Sequence, residues 1–144
     1  MEAFRPPQAA QQGVLHDLGL GASSAERIEA VKAGLKVEVF ATLARRLGVS
    51  EAGLAKVVGL SGTTLARRKR AGTLTPDESD HVMRVAALLD QATQLFGPED
   101  EAAEWLTTPN LALGHATPLA LADTELGARE VEDLLGRLEH GVYS

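Results

Sequence analysis

Four cations stand in a row at Arg67, Arg68, Lys69 and Arg70, in a chain of 144 residues with a net charge of −6. Guanidinium and ammonium groups at this density share one chemistry: they pair with phosphate, and arginine also fits the O6/N7 edge of guanine. Taken alone, a charge run is usually a solvated helix face. The residues upstream make this one more specific. Ser61 can cap a helix over Gly62–Ala71, and Gly59 ends a short helix that Ser50 caps. Two short helices joined through a glycine-containing turn form a helix-turn-helix. Ala55 is the small residue where the two approach, and Gly59, four later, relaxes the turn. Leu54, Val58, Leu60 and Leu65 supply the small core between them. Arg68 falls three after Leu65, where an apolar residue is usual, so its stem is expected to lie over the core edge.

With Leu65 inward, helical spacing turns Ser61, Gly62, Thr63, Ala66, Arg67 and Arg70 outward. In such modules the second helix enters the major groove and its first side chains meet base edges. The hydroxyls of Thr63 and Thr64 suit that task, and Arg67 suits guanine. Lys69 and Arg70 suit phosphates, and Arg68 completes the expected DNA-binding set.

No second chemistry is visible. His16, His81, His115 and His140 are scattered, with no i, i+4 pair of the kind that holds a metal on a helix. Gly62 and Gly72 do not fit a phosphate-binding loop, and no catalytic set assembles from the carboxylates. The reading is a protein that is not an enzyme and takes no cofactor. Trp105, the one tryptophan in a chain with 3% aromatics, reads as a core or interface anchor.

The elements that must position these residues are helices. Leu, Val and Ala dominate the 44% apolar content, β-branched runs are scarce, and no strand pattern emerges. The fold class expected is all-α. Residues 1–24, with Pro6, Pro7, several glutamines and glycines and two serines, read as a flexible N-terminal arm. A short helix over Ala25–Ala33 follows. Leu35, Val39, Leu43 and Leu47 then make a stripe four apart that Gly48 stops. Thr75-Pro76-Asp77-Glu78 is the clearest helix start, a capping box with proline at the first helical position. Its apolar face runs through Val82, Val85, Leu88, Leu89, Ala92 and Leu95 to Gly97-Pro98. Short helices over Pro98–Leu106 and from Thr117-Pro118 frame a loop, and Gly127–Glu139 forms the last helix with Val131, Leu134, Leu135 and Leu138 as its stripe. The division expected is 25–96 for DNA binding and dimerisation and 97–144 for a second helical domain. The stripe through Val39 and the helix after Thr75 are the candidate dimer faces.

Charge separates along the chain. Residues 1–75 hold 11 Lys/Arg against 6 Asp/Glu, whereas residues 76–144 hold 3 against 14. A cationic half joined to an anionic half points to two partners of different kinds. The absence of cysteine, of an apolar run near the roughly 18 residues of a membrane span, and of a signal-peptide stretch in "MEAFRPPQAAQQG" leads to an expected cytoplasmic location.

Residues 95–144 resemble the C-terminal toxin-binding domain of Xre/MbcA/ParS-type antitoxins. The features that carry the resemblance are Trp105-Leu106 before Pro109-Asn110, the stretch Gly114 to Leu119, Thr124 with Gly127, and a last helix ending in Glu139-His140-Gly141. The helix-turn-helix and "LTPDESDHVMRVAALL" are similar to that family as well, so the likeness covers about residues 35–144. It implies an antitoxin that binds and occludes a toxin, of the NAD-consuming RES-domain type, and represses its own operon. It implies toxin contacts at Trp105, Arg137, Glu139, His140, Gly141, Val142, Tyr143 and Ser144. Gly141 would end the last helix and leave Val142-Tyr143-Ser144 and a carboxylate to fill a pocket built for a phosphate-bearing dinucleotide. Three frayed terminal residues are the ordinary reading of such a tail; the resemblance favours insertion. The alternative function is a stand-alone helix-turn-helix regulator whose acidic half dimerises or senses a ligand.

Overall fold

Thr75 accepts a hydrogen bond from the Glu78 backbone N–H at 3.2 Å, and the Glu78 carboxylate accepts one from the Thr75 N–H at 2.9 Å. This reciprocal cap, with Pro76 next to it, starts the longest helix of the chain. The computed structural model describes residues 8–141. Its helices are α1 (Gln8–Asp17), α2 (Ser24–Ala33), α3 (Val37–Leu47), α4 (Glu51–Val58), α5 (Gly62–Ala71), α6 (Pro76–Phe96), α7 (Glu99–Leu106), α8 (Pro118–Leu121) and α9 (Glu125–Glu139), with a 3-10 turn at Leu111–Leu113. No strand occurs among the described residues; a single antiparallel bridge joins Lys36 and Thr73.

α6 is the spine. Its 21 residues span about 31 Å at 1.5 Å each, and α1, α2, α3, α4, α7 and α9 all pack against it. Val82, Val85, Ala86, Leu88, Leu89 and Ala92 are buried along it, with Ser79 as the buried polar residue. The Ser79 hydroxyl oxygen accepts the Leu35 N–H at 2.8 Å, which satisfies a donor otherwise stranded in the core. One apolar cluster runs from Val14 to Leu135, so the core is continuous across residues 96 and 97.

The arm expected over residues 1–24 differs from what is found beyond residue 12. Val14, Leu15 and Leu20 are buried, and α1 lies on α6. Gly13 makes this possible. Its φ of 54° and ψ of −165° break the helix, and a Cβ there would collide with Asp90 Oδ1, the atom that accepts the Val14 N–H at 2.8 Å. Composition read this segment as mobile because of its prolines, glutamines, glycines and paired serines, yet three well-placed apolar side chains are enough to dock it.

The α3 stripe also shifts. Leu35, Leu43 and Leu47 are buried as expected, but Val39 is only half-buried, and the neighbouring Phe40 is fully buried, at 0% exposure like Leu43. At the other end, Leu138 departs from the expected α9 stripe: Val131, Leu134 and Leu135 are buried, whereas Leu138 is 37% exposed in the last turn.

Candidate nucleic-acid interface and partner-binding face

α4 and α5 are built by their caps. Ser50 accepts the Gly53 N–H at 2.9 Å, and Ser61 accepts the Thr64 N–H at 3.1 Å. Gly59 between them takes a left-handed φ of 78°, and Leu60 N–H closes back onto the Ala55 carbonyl at 2.8 Å. Leu54, Ala55, Val58, Leu60 and Leu65 are all buried. The His81 Nδ1–H donates to the Val58 carbonyl at 3.1 Å, fastening the end of α4 to α6. The start of α3 is stitched to the end of α5, because Val37 N–H bonds Gly72 O and Leu74 N–H bonds Leu35 O. α5 is therefore held at both ends with its outer face free.

That face carries Ser61, Gly62, Thr63, Ala66, Arg67 and Arg70, all exposed. Thr64 is half-buried, its hydroxyl oxygen accepting from the Ser61 hydroxyl at 2.9 Å. The four-cation run does not act as one unit. The Arg68 guanidinium lies across α6, with Nε 2.7 Å from Glu78 Oε1 and Nη2 2.8 Å from Glu78 Oε2. Lys69 Nζ lies 2.6 Å from Glu51 Oε1. Arg67 and Arg70 have no ion-pair partner among the described residues, and one helical turn separates them.

Arg68 thus departs from the expected DNA-binding set. It closes the capping box from outside: one Glu78 carboxylate receives two guanidinium bonds and the Thr75 N–H. The hydrogen bonds from Arg68 hold the Glu78 carboxyl below its ordinary range, outweighing burial, and the Thr75 backbone adds to the effect. The apolar residue usual at that position is replaced by a bidentate pair of the geometry arginine favours. Sequence showed Glu78 as a cap residue; its reach to a residue ten earlier on another helix has no local periodicity.

In the acidic half, Trp105 is half-buried with its ring 5.7 Å from that of Phe96, tilted by 42°. Arg137, Glu139 and His140 are exposed in and just after the last turn of α9, and Gly141 takes a φ of 65°. Val142, Tyr143 and Ser144 lie outside the described residues. Gly127 has a packing role: a Cβ there would run into the Leu121 carbonyl, so α9 can start against α8 only on a glycine. The loop between α7 and α8 is ordered by Asn110. Its side chain accepts the Ala112 N–H at 2.9 Å, its carbonyl accepts from Leu113 and His115, and its N–H donates to Ala116 O. That loop displays Leu111 at 77% exposure, which spacing gave no reason to single out.

The two halves are joined by one more residue that sequence reading missed. Arg46 of α3 bonds Glu99 at the start of α7 through both Nε, at 2.8 Å, and Nη2, and reaches Asp17 of α1 at 3.0 Å. The Glu99 carboxylate, aided by Asp17, raises the arginine's proton affinity further.

Comparison with known proteins follows the same two-part layout. Residues 26–87 match the antitoxin Xre-like helix-turn-helix domain, and residues 91–141 match the antitoxin Xre/MbcA/ParS C-terminal toxin-binding domain. The chain is 36% identical over 148 aligned positions to "Antitoxin Xre" of Yersinia enterocolitica and 32% identical over 148 to that of Photorhabdus laumondii, covering 100% of both chains each time. It is 33% identical to "Antitoxin Xre" of Pseudomonas putida over 79 residues, 55% of this chain and 50% of that one. An exposed α5 face on a helix-turn-helix, followed by a toxin-binding domain on the same spine and full-length likeness to these relatives, places this chain in the Xre antitoxin family of toxin–antitoxin systems.

Proposed function

We propose that this antitoxin neutralises a RES-domain, NAD-consuming toxin by occluding its active site, and represses its own operon as a cytoplasmic homodimer. The observation that carries the first part is the end of α9. A capped, well-packed helix presents Arg137, Glu139 and His140 and turns at Gly141 just before the tyrosine-bearing last residues. A rigid base that delivers the short segment Val142-Tyr143-Ser144 suits a pocket made for a phosphate-bearing dinucleotide. Trp105 supplies part of the docking area. For the second part, Thr63 and Arg67 meet bases, Arg70 meets phosphate, and Ser61, Gly62 and Thr64 form the N-terminal edge that approaches the groove.

A single helix-turn-helix covers one half-site, and a dimer covers a palindrome. The apolar residues of α6 are largely turned into the chain's own core, and Val39 packs against it, so neither expected face is open. Ile28, 53% exposed, lines a groove between α2 and α6 with Val31 and Met83, and this groove is the apolar surface those two helices offer a second copy.

Deleting Val142–Ser144 tests the proposal. The expected result is restored toxin activity, read as NAD loss in cells co-expressing both proteins, with repression of an operon reporter unchanged. Full protection by the shortened chain would assign inhibition to the domain surface. Repression without any neutralisation by the intact chain would support a stand-alone regulator.

A further inference from the structure

The two occupied cations of α5 are held differently. Arg68 is part of the fold, bound to the carboxylate that caps α6. Lys69 is not: its partner Glu51 is the first residue of α4, and the two side chains are 50% and 38% exposed. Exposed pairs of this kind add little to folding. Ser50 already caps α4, so the helix does not need Glu51 for its start. What the pair changes is the field at the outer edge of the two helices. Its charges are 2.6 Å apart, far less than the Debye length of about 8 Å at physiological salt, so an approaching polyanion meets a near-neutral dipole there. Drawing Lys69 off to a phosphate leaves the Glu51 carboxylate facing the same backbone.

We propose that Glu51 is an electrostatic brake on DNA binding: it withholds Lys69 from the duplex, so that Arg67 and Arg70 are the cations with which α5 engages DNA. This rests on the DNA-binding reading of α5. It also revises what the charge run accomplishes, since two of its four cations are neutralised within the protein.

The test uses the full-length protein, a fluorescein-labelled random duplex of about 25 base pairs, and anisotropy titrations from about 50 to 200 mM salt. E51Q is expected to bind roughly 3–10-fold tighter at the low-salt end and to steepen the slope of log K against log salt by about 0.9, one added phosphate contact. E51Q/K69Q is expected to return to within about 0.3 of the wild-type slope. Matching thermal melts of the three proteins show that folding is unaltered. An E51Q slope equal to wild type overturns the proposal. A steep slope that persists in the double variant removes Lys69 from it, and overturns it as stated. Failure of the wild-type protein to bind any duplex at low salt is a different result, which sinks the DNA-binding reading itself.

Discussion

Leu20→Ala separates a docked N-terminal segment from a loose one. Leu20 is 2% exposed and belongs to the same cluster as Phe40 and Leu89. Truncating a buried leucine removes transfer free energy and leaves a cavity, a combined loss of about 2–5 kcal/mol. A leucine on a mobile arm would change stability by less than about 0.5 kcal/mol. The two readings therefore differ by several-fold, well outside measurement error. Taking about 3 kcal/mol, and about 2–4 °C per kcal/mol for a chain of this size, the melting temperature should fall by roughly 6–12 °C. In urea, with a slope near 2 kcal/mol/M, the midpoint should drop by about 1.5 M at unchanged slope. Circular dichroism at 222 nm reads both, and Leu111→Ala is the internal control. At 77% exposure Leu111 should shift stability by less than about 0.5 kcal/mol. Equal small shifts for Leu20 and Leu111 would refute the packing of the segment onto α6.

Glu78→Gln tests the cap under acid. The Glu78 carboxyl is held below its ordinary value of 4.5, so its contribution is fully present above that pH and is lost as pH falls through the lower folded value. The stability gap between wild type and variant should be constant near neutrality and close below about pH 4.5, as read by urea melts at several pH values. Arg67→Ala should weaken operator binding by about 1–3 kcal/mol and relax specificity at one base, in gel-shift competition with single-base operator variants. Gly127→Ala should destabilise, because its Cβ meets the Leu121 carbonyl, whereas Gly136→Ala, with nothing within 4 Å, should stabilise α9 by about 0.5–1 kcal/mol in thermal melts.

Local chemistry was the part of this fold that could be read in advance. The Thr75–Glu78 box, the Ser50 and Ser61 caps and the Gly59 turn are three- or four-residue patterns with their own physics, and each is found in place. Contacts between distant residues were not readable. Arg68 and Glu78 are ten apart, Lys69 and Glu51 eighteen, and Arg46 and Glu99 fifty-three, on different helices in each case. The α3 face was misplaced because a four-residue stripe through Val39 competes with the face centred on Phe40, and the positions of α4, α6 and α7 around it decide between them. The outward set on α5 followed from helical spacing, but which of its cations are free depended on those long-range pairs.

The shared spine has a consequence for dosage. With one core running from Val14 to Leu135, and with Arg46 bridging α1 and α7, the described chain offers no flexible joint at which it can be divided into two working pieces. A break within α6 strips the cap from beside α5 and the floor from beneath α9 together. Whatever the two ends bind, they are made and destroyed as one molecule, so the concentration that sets promoter occupancy is the same concentration that sets how much partner is held. For a given amount of partner the ratio between those two outputs is then set by relative affinity, the quantity that the charge on Glu51 would tune under the proposal above.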